Sequence, residues 1–185
     1  MKKASFIFLL FFISITYSQT SQVNDFGYKY NQSLKAGRIL GVITGSTMGI
    51  AQIYWSATNM SGVHGPLWKN VVTGVPSSLI GGYVGYKTSE WATKQILNGN
   101  PKPGHAMLKG ALYGAIDGAV VFTASMVPLL VIGHYMETIQ FNFDGDAILF
   151  QVIGAAILGG IGYGGIFGAT IGIFYGPSLS IYMKF

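Results

Sequence analysis

Asp117 is the residue whose type and place most call for chemistry. It is one of six carboxylates in the chain. It stands inside an apolar run, eight residues beyond Lys109, or about 12 Å along a helix. A charged side chain at the centre of a membrane helix costs roughly 2.5 to 3.5 kcal/mol, so something must offset that cost. The functional reading is an intramembrane polar site, where an ion, a proton or a substrate is contacted between helices. The structural reading is a buried hydrogen bond to Ser46, Thr47 or a tyrosine hydroxyl, or proximity to the membrane surface.

The remaining residues that could do chemistry do not combine. Asp25, Glu90, Glu137, Asp144 and Asp146 are scattered and form no carboxylate pair. No Ser-His-Asp arrangement stands out. His64, His105 and His134 fall near the ends of apolar segments at unrelated spacings, which suits interfacial residues better than metal ligands. The chain has no cysteine, which excludes disulfides, thiolate metal sites and cysteine nucleophiles. The glycine-rich run at 160–165 lies within an apolar stretch, with no strand before it and no acidic residue after it, so it is not a nucleotide loop. The expectation is a protein that is not an enzyme and needs no cofactor and no metal. The net charge of +5 includes Lys2 and Lys3, and the remainder is too small and scattered to suggest nucleic acid.

The elements that would position Asp117 follow from composition. Half of the residues are hydrophobic and 9% are charged, against roughly 25% charged in ordinary soluble domains. So few charges cannot cover a surface that faces water, and lipid is the simplest alternative. Four long apolar segments run over 36–57, 71–86 (with a polar extension to 96), 106–135 and 147–176. Short polar loops at 58–67, 97–104 and 136–146 suit antiparallel neighbours. Trp55, Trp68, Tyr54 and Tyr135 sit at segment ends, as an aromatic belt does. Pro128 is expected to kink the third segment.

Each segment carries small residues spaced by four. The first has Gly37, Gly41, Gly45 and Gly49. The second has Gly74, Ser78 and Gly82. The third has Ala106, Gly110, Gly114 and Gly118. The fourth has Gly160, Gly164, Gly168, Gly172 and Gly176. Residues four apart share one helix face, and a smooth face lets two backbones approach closely in lipid, where no hydrophobic effect drives helices together. This pattern predicts an all-α membrane protein of about four transmembrane helices packed through GxxxG stripes. The alternative is an eight-stranded outer-membrane β-barrel. It rests on the alternation of Leu179, Ile181, Met183 and Phe185 with Ser178, Ser180, Tyr182 and Lys184, and on a similar odd–even pattern from Gly160 to Tyr175. The run from Gly118 to Gly133 shows no alternation, and only three polar breaks are evident, which favours helices.

Residues 1–18 read as a secretory signal peptide: Lys2 and Lys3, then an apolar stretch from Ala4 to Ile15, then small residues Thr16 and Ser18. That stretch is too short to span a bilayer. Its Ser-Gln ending resembles signals of Bacteroidota and points to a bacterial envelope protein. Residues 19–34 are expected to form a short polar arm and 35–185 a single membrane-embedded domain. If all four segments span, one side holds Lys29, Lys35, Arg38, Lys87, Lys94, Lys102, Lys109 and Lys184 against Asp25 and Glu90. The other holds Lys69 against Glu137, Asp144 and Asp146. The positive-inside rule puts the basic side in the cytoplasm, whereas a cleaved signal puts it outside. Either the 71–86 segment does not span, or the membrane is the outer one. Which membrane is occupied stays open.

Four short-looped segments with glycine stripes over 36–176 resemble, in architecture, the mitochondrial Tim17/Tim22/Tim23 translocase family. That family lacks a secretory signal, and its Arg/Asp signature has no match here, so the resemblance implies a helical arrangement and no functional residues. The function expected is a scaffold or accessory subunit whose partners are the lipid bilayer and either itself or another membrane protein. A small pore or transporter with Asp117 lining the path is the alternative.

Overall fold

The structure, a computed structural model, describes residues 26–58, 64–139 and 148–185. The expected signal peptide and the first part of the expected arm lie outside these residues, as do Asp144 and Asp146. Among the described residues every regular element is helical: α1 (Phe26–Ala57), α2 (Leu67–Leu97), α3 (Pro103–Tyr135), α4 (Ile148–Gly159), a π-helical turn (Gly160–Gly164) and α5 (Gly165–Lys184). Backbone angles stay helical at Gly159, Gly164 and Gly165, so α4, the π turn and α5 form one continuous rod. The fold is therefore four helical rods.

The barrel alternative is overturned, and the C-terminal residues show why. Leu179 and Met183 are 5% and 9% exposed, whereas Ile181 between them is 46% exposed. A strand would put all three on one face. A helix puts residues four apart together and turns the middle one away, and small residues at every fourth position from Gly160 to Gly176 enforce the same period. The helical run also continues to Lys184, beyond the expected end of the fourth segment at 176.

A second difference concerns the arm. Residues 26–34, expected to belong to the arm, are helical within α1; Phe26 and Tyr28 are exposed, and Ser33 and Leu34 are buried. The end of α5 accounts for this: Ser33 Oγ lies 3.8 Å from Met183 Sδ, and the Tyr175 hydroxyl donates to the Ser33 carbonyl at 3.4 Å. In α2 the polar extension belongs to the same helix as the apolar part. Pro76 and Pro128 lie inside α2 and α3 without ending them, each removing one backbone N–H from the helix ladder.

Neighbouring rods are antiparallel, and small residues mark the register. A Cβ on Gly41 would overlap the carbonyl of Gly85, and one on Gly45 that of Gly81; Gly49 faces Gly74 in the same way. Between α3 and the fourth rod, Gly110 faces Gly172, Gly114 faces Gly168, Gly118 faces Gly164, and Gly176 faces the carbonyl of Ala106. The chain thus makes two close hairpins, α1–α2 and α3–α4/α5. Hydroxyls join them along the α2–α3 seam. Ser77 Oγ donates to the Ser125 carbonyl at 2.7 Å, and Thr73 and Thr138 hydroxyls meet at 3.3 Å.

Among the described residues the interior mixes polar and apolar side chains, with Ile96, Val121, Leu129 and Leu179 buried alongside hydroxyls and amides. Asn70, Thr73, Ser77, Thr93, Ser125 and Ser180 are almost fully buried. Large apolar side chains face outward on every rod, among them Ile50, Leu79 (68% exposed), Leu112 and Phe174 (69% exposed). Two helices, Pro103–Tyr135 and Phe150–Lys184, are long and apolar enough to cross a membrane.

Candidate functional site

Asp117 lies on the face of α3 turned toward α2, one residue before Gly118, which packs against Gly164. Its Oδ2 accepts a hydrogen bond from Ser89 Oγ of α2. Oδ1 is buried and has no hydrogen-bond partner among the described residues. No lysine, arginine or histidine lies within ion-pairing distance of Asp117 among those residues. The expected partners are otherwise engaged: Ser46 donates to the Ser78 carbonyl and Thr47 to the Ile43 carbonyl.

Ser89 also fixes the depth of Asp117. It lies one residue from Glu90, whose carboxylate pairs with Arg38 and Lys94. Asp117 is therefore level with the charged layer at one end of the bundle, not at its centre. Sequence distance along α3 alone conceals this, because α3 starts beyond the end of α2: Lys109 Nζ reaches the Asn98 carbonyl at 2.5 Å.

All four rods converge around Asp117 on a cavity of about 40 Å³. Its polar lining comes from Thr44 of α1, Ser89 and Thr93 of α2, Asp117 of α3 and Tyr175 of α5. A water needs roughly 10–15 Å³ of such volume, so the space suits a few water-sized species and no organic solute. The Thr93 hydroxyl donates to the Ser89 carbonyl at 2.8 Å, which holds the Ser89 turn in place. A carboxylate oxygen without a donor is costly to bury. The arrangement can accept a proton, a water or a small cation at Oδ1. The nearest hydroxyls are engaged, Ser89 with Asp117 itself and Thr93 with the Ser89 carbonyl, and the Tyr175 phenol completes the polar lining.

The glycines singled out by spacing fall at the two close approaches. Gly37 lies against Ser89 and Thr93, and Gly82 against Ser46 Oγ. Gly160 abuts Thr123 of α3 at the π turn. Gly81 and Gly85 of α2 are the residues that face Gly45 and Gly41. Sequence reasoning missed Ser89 as the partner of Asp117 and Ser125 as a bridge between hairpins, because an isolated serine carries no periodic signal. The Glu90–Lys94 pair was open to view as an (i, i+4) spacing.

At the opposite end Gln52 Nε2 donates to Asn70 Oδ1 at 2.6 Å, and Asn70 Nδ2 donates to the His64 carbonyl at 3.1 Å, closing the α1–α2 connection onto α2. Tyr54, Trp55, Trp68 and Tyr135 are all exposed at this end. Among the described residues no group of three or more histidines and carboxylates could hold a metal ion.

No protein-family model matches the chain, nor does any curated protein or solved structure.

Proposed function

We propose that this chain is a non-enzymatic integral membrane protein of the bacterial envelope, in which all four rods cross the bilayer and the glycine faces serve as the packing surfaces of a scaffold or accessory subunit. The many outward-facing apolar side chains, together with buried hydroxyls and amides, carry this reading. Serines, threonines and glycines take much of the interior beside an apolar set that includes Ile96, Val121 and Leu179, while large apolar side chains such as Ile50, Leu79, Leu112 and Phe174 face out. In water the hydrophobic effect would penalise such an arrangement. In lipid, close backbone approach and interhelical hydroxyl bonds are what hold helices together. The uncharged stretches 39–57 of α1 and 70–86 of α2 measure about 28 and 26 Å at 1.5 Å per residue, close to the ~30 Å hydrocarbon core.

The test uses the natural absence of cysteine. The full chain should stay in the membrane pellet after alkaline carbonate extraction. Single cysteines at Asn98 and Met136 should label with an impermeant maleimide from opposite sides. A cysteine scan over 161–176 should show protection with a period near 3.6 along Gly164, Gly168 and Gly172. Release by carbonate ends the reading. Labelling of Asn98 and Met136 from one side would mean that α3 does not cross. Isolation of the tagged protein from mild detergent should yield a self-complex or a second membrane protein; a lone monomer would remove the scaffold role.

The unpartnered Oδ1 of Asp117 in a cavity reached by all four rods supports a second reading, a small proton- or ion-conducting unit. Flux in proteoliposomes that is lost in Asp117→Asn separates it from the first.

A further inference from the structure

All the described lysines and arginines except Lys69, which lies near Glu137 at the other end, gather at one end of the bundle. Lys29, Lys35 and Arg38 of α1, Lys87 and Lys94 of α2, Lys102 and Lys109 around the start of α3, and Lys184 of α5 all lie where the antiparallel rods bring the start of α1 beside the end of α2. Glu90 is the one carboxylate side chain of α1 and α2 among the described residues. Both of its oxygens are used: Arg38 Nε donates to Oε2 at 2.8 Å and Lys94 Nζ to Oε1 at 2.7 Å.

The charges at the α1–α2 corner are held in place. The Arg38 guanidinium lies 5.3 Å from the centre of the Tyr86 ring, and Lys87 Nζ lies 5.5 Å from the same centre. Arg38 commits one of its five N–H groups to Glu90. Lys35 is three residues before Arg38, on the same face of α1. Lys87, Glu90 and Lys94 likewise share a face of α2. Four cations therefore share this corner with one carboxylate that Arg38 and Lys94 already bind, and Lys35, Lys87 and Lys94 are exposed. The corner lies immediately past the uncharged stretches 39–57 and 70–86, at the depth where lipid phosphates begin.

We propose that this corner, formed by Lys35, Arg38, Lys87 and Lys94 around Tyr86, binds the headgroup of an anionic phospholipid. The inference rests on the membrane reading above. Arg38 offers paired N–H donors that match two phosphate oxygens, the lysines supply further charge, and the Tyr86 ring marks the boundary between headgroup and acyl chain. Each basic residue at an anionic membrane surface raises binding by about fivefold.

The experiment uses the full chain in nanodiscs, with phosphatidylglycerol as the anionic probe and phosphatidylcholine as the neutral one. Retained lipid is counted by native mass spectrometry, and the midpoint of thermal unfolding is followed in parallel. Phosphatidylglycerol should be retained at least tenfold over phosphatidylcholine and should raise the midpoint. The double variant Lys35→Gln/Lys87→Gln leaves the Glu90 pairs intact and so should fold. It should lose about 25-fold in retention, two residues at about fivefold each. Arg38→Gln should lose at least about fivefold. Equal retention of the two lipids, or a double variant that retains phosphatidylglycerol like the parent, overturns the proposal. So does displacement of the lipid by 10 mM inorganic phosphate, which would make the corner a site for a soluble anion. Carbonate extraction separates the two levels: a protein that stays in the membrane without lipid preference loses this inference alone, whereas one that is released loses both.

Discussion

The hydroxyl of Ser125 on α3 donates to the backbone carbonyl of Gly45 on α1, 2.7 Å away. It passes α2 at Gly81, where a Cβ would collide with both Ser125 Oγ and the Gly45 carbonyl. One serine thus ties three rods, and the absence of a side chain at Gly81 makes the path.

Ser125→Ala should therefore cost more than its size suggests. It removes the bond to Gly45 and the weaker one to Val121 at 3.0 Å. Interhelical hydroxyl bonds in membranes contribute about 0.6 kcal/mol on average and up to about 1.7, and the upper part of that range is expected here. Thr170→Ala is the control, since Thr170 is exposed and bonds only within its own helix, to Ile166. Thermal unfolding in detergent should show a lower midpoint for Ser125→Ala and an unchanged one for Thr170→Ala. Equal effects would remove the bridging role.

Glycines should divide into two classes under substitution by alanine. At Gly45, Gly81, Gly114 and Gly172 the new methyl meets backbone of the neighbouring rod. Each should cost about 3 kcal/mol, the upper end for overpacking, because backbone cannot rotate aside. Gly154 has nothing within 4 Å of an added Cβ. Gly154→Ala should be neutral or stabilise by up to about 1 kcal/mol through helix propensity. Unfolding in graded SDS reads the difference. A uniform response across both groups would mean that the close approaches do not govern stability.

Asp117 and Ser89 should respond in opposite directions. Asp117→Asn retains the length of the side chain, can still bond Ser89 Oγ and removes a charge from a partly buried position, so the midpoint of unfolding should stay level or rise. Ser89→Ala leaves Oδ2 as unpartnered as Oδ1 and should lower it by roughly 1 to 3 kcal/mol, the cost of an unsatisfied buried acceptor. A marked loss of folded protein for Asp117→Asn together with no effect of Ser89→Ala would contradict the placement of the pair.

The Glu90 cluster should be sensitive to acid. Hydrogen bonds from Arg38 and then Lys94 hold its carboxyl at about 2, below the ordinary value of 4.5. A depressed carboxylate contributes stability that is complete above pH 4.5 and lost as pH falls toward about 2. The parent should lose an increment of thermal midpoint across this window that Glu90→Gln lacks, and the increment should shrink in high salt because Arg38 is 36% exposed. Parallel pH profiles would show that the pairs add nothing in solution.

The sequence by itself determined the helical class and the faces of the helices. Glycines at every fourth residue selected faces of period 3.6 over the alternation at 178–185. Those are local properties, set by the chain's own periodicity. Only the tertiary structure decided which faces meet. Gly114 can be placed on a stripe from spacing alone, but its pairing with Gly168 depends on the register of two rods joined by a loop of free length. The depth of Asp117 was hidden for the same reason. It is fourteen residues from the start of α3, yet it is level with Ser89 near the end of α2, because α3 begins beyond α2 and the offset between antiparallel helices is not written in either one. The packing of the polar stretch around Ser33 was hidden likewise, since its partners Tyr175 and Met183 lie 142 and 150 residues away on α5.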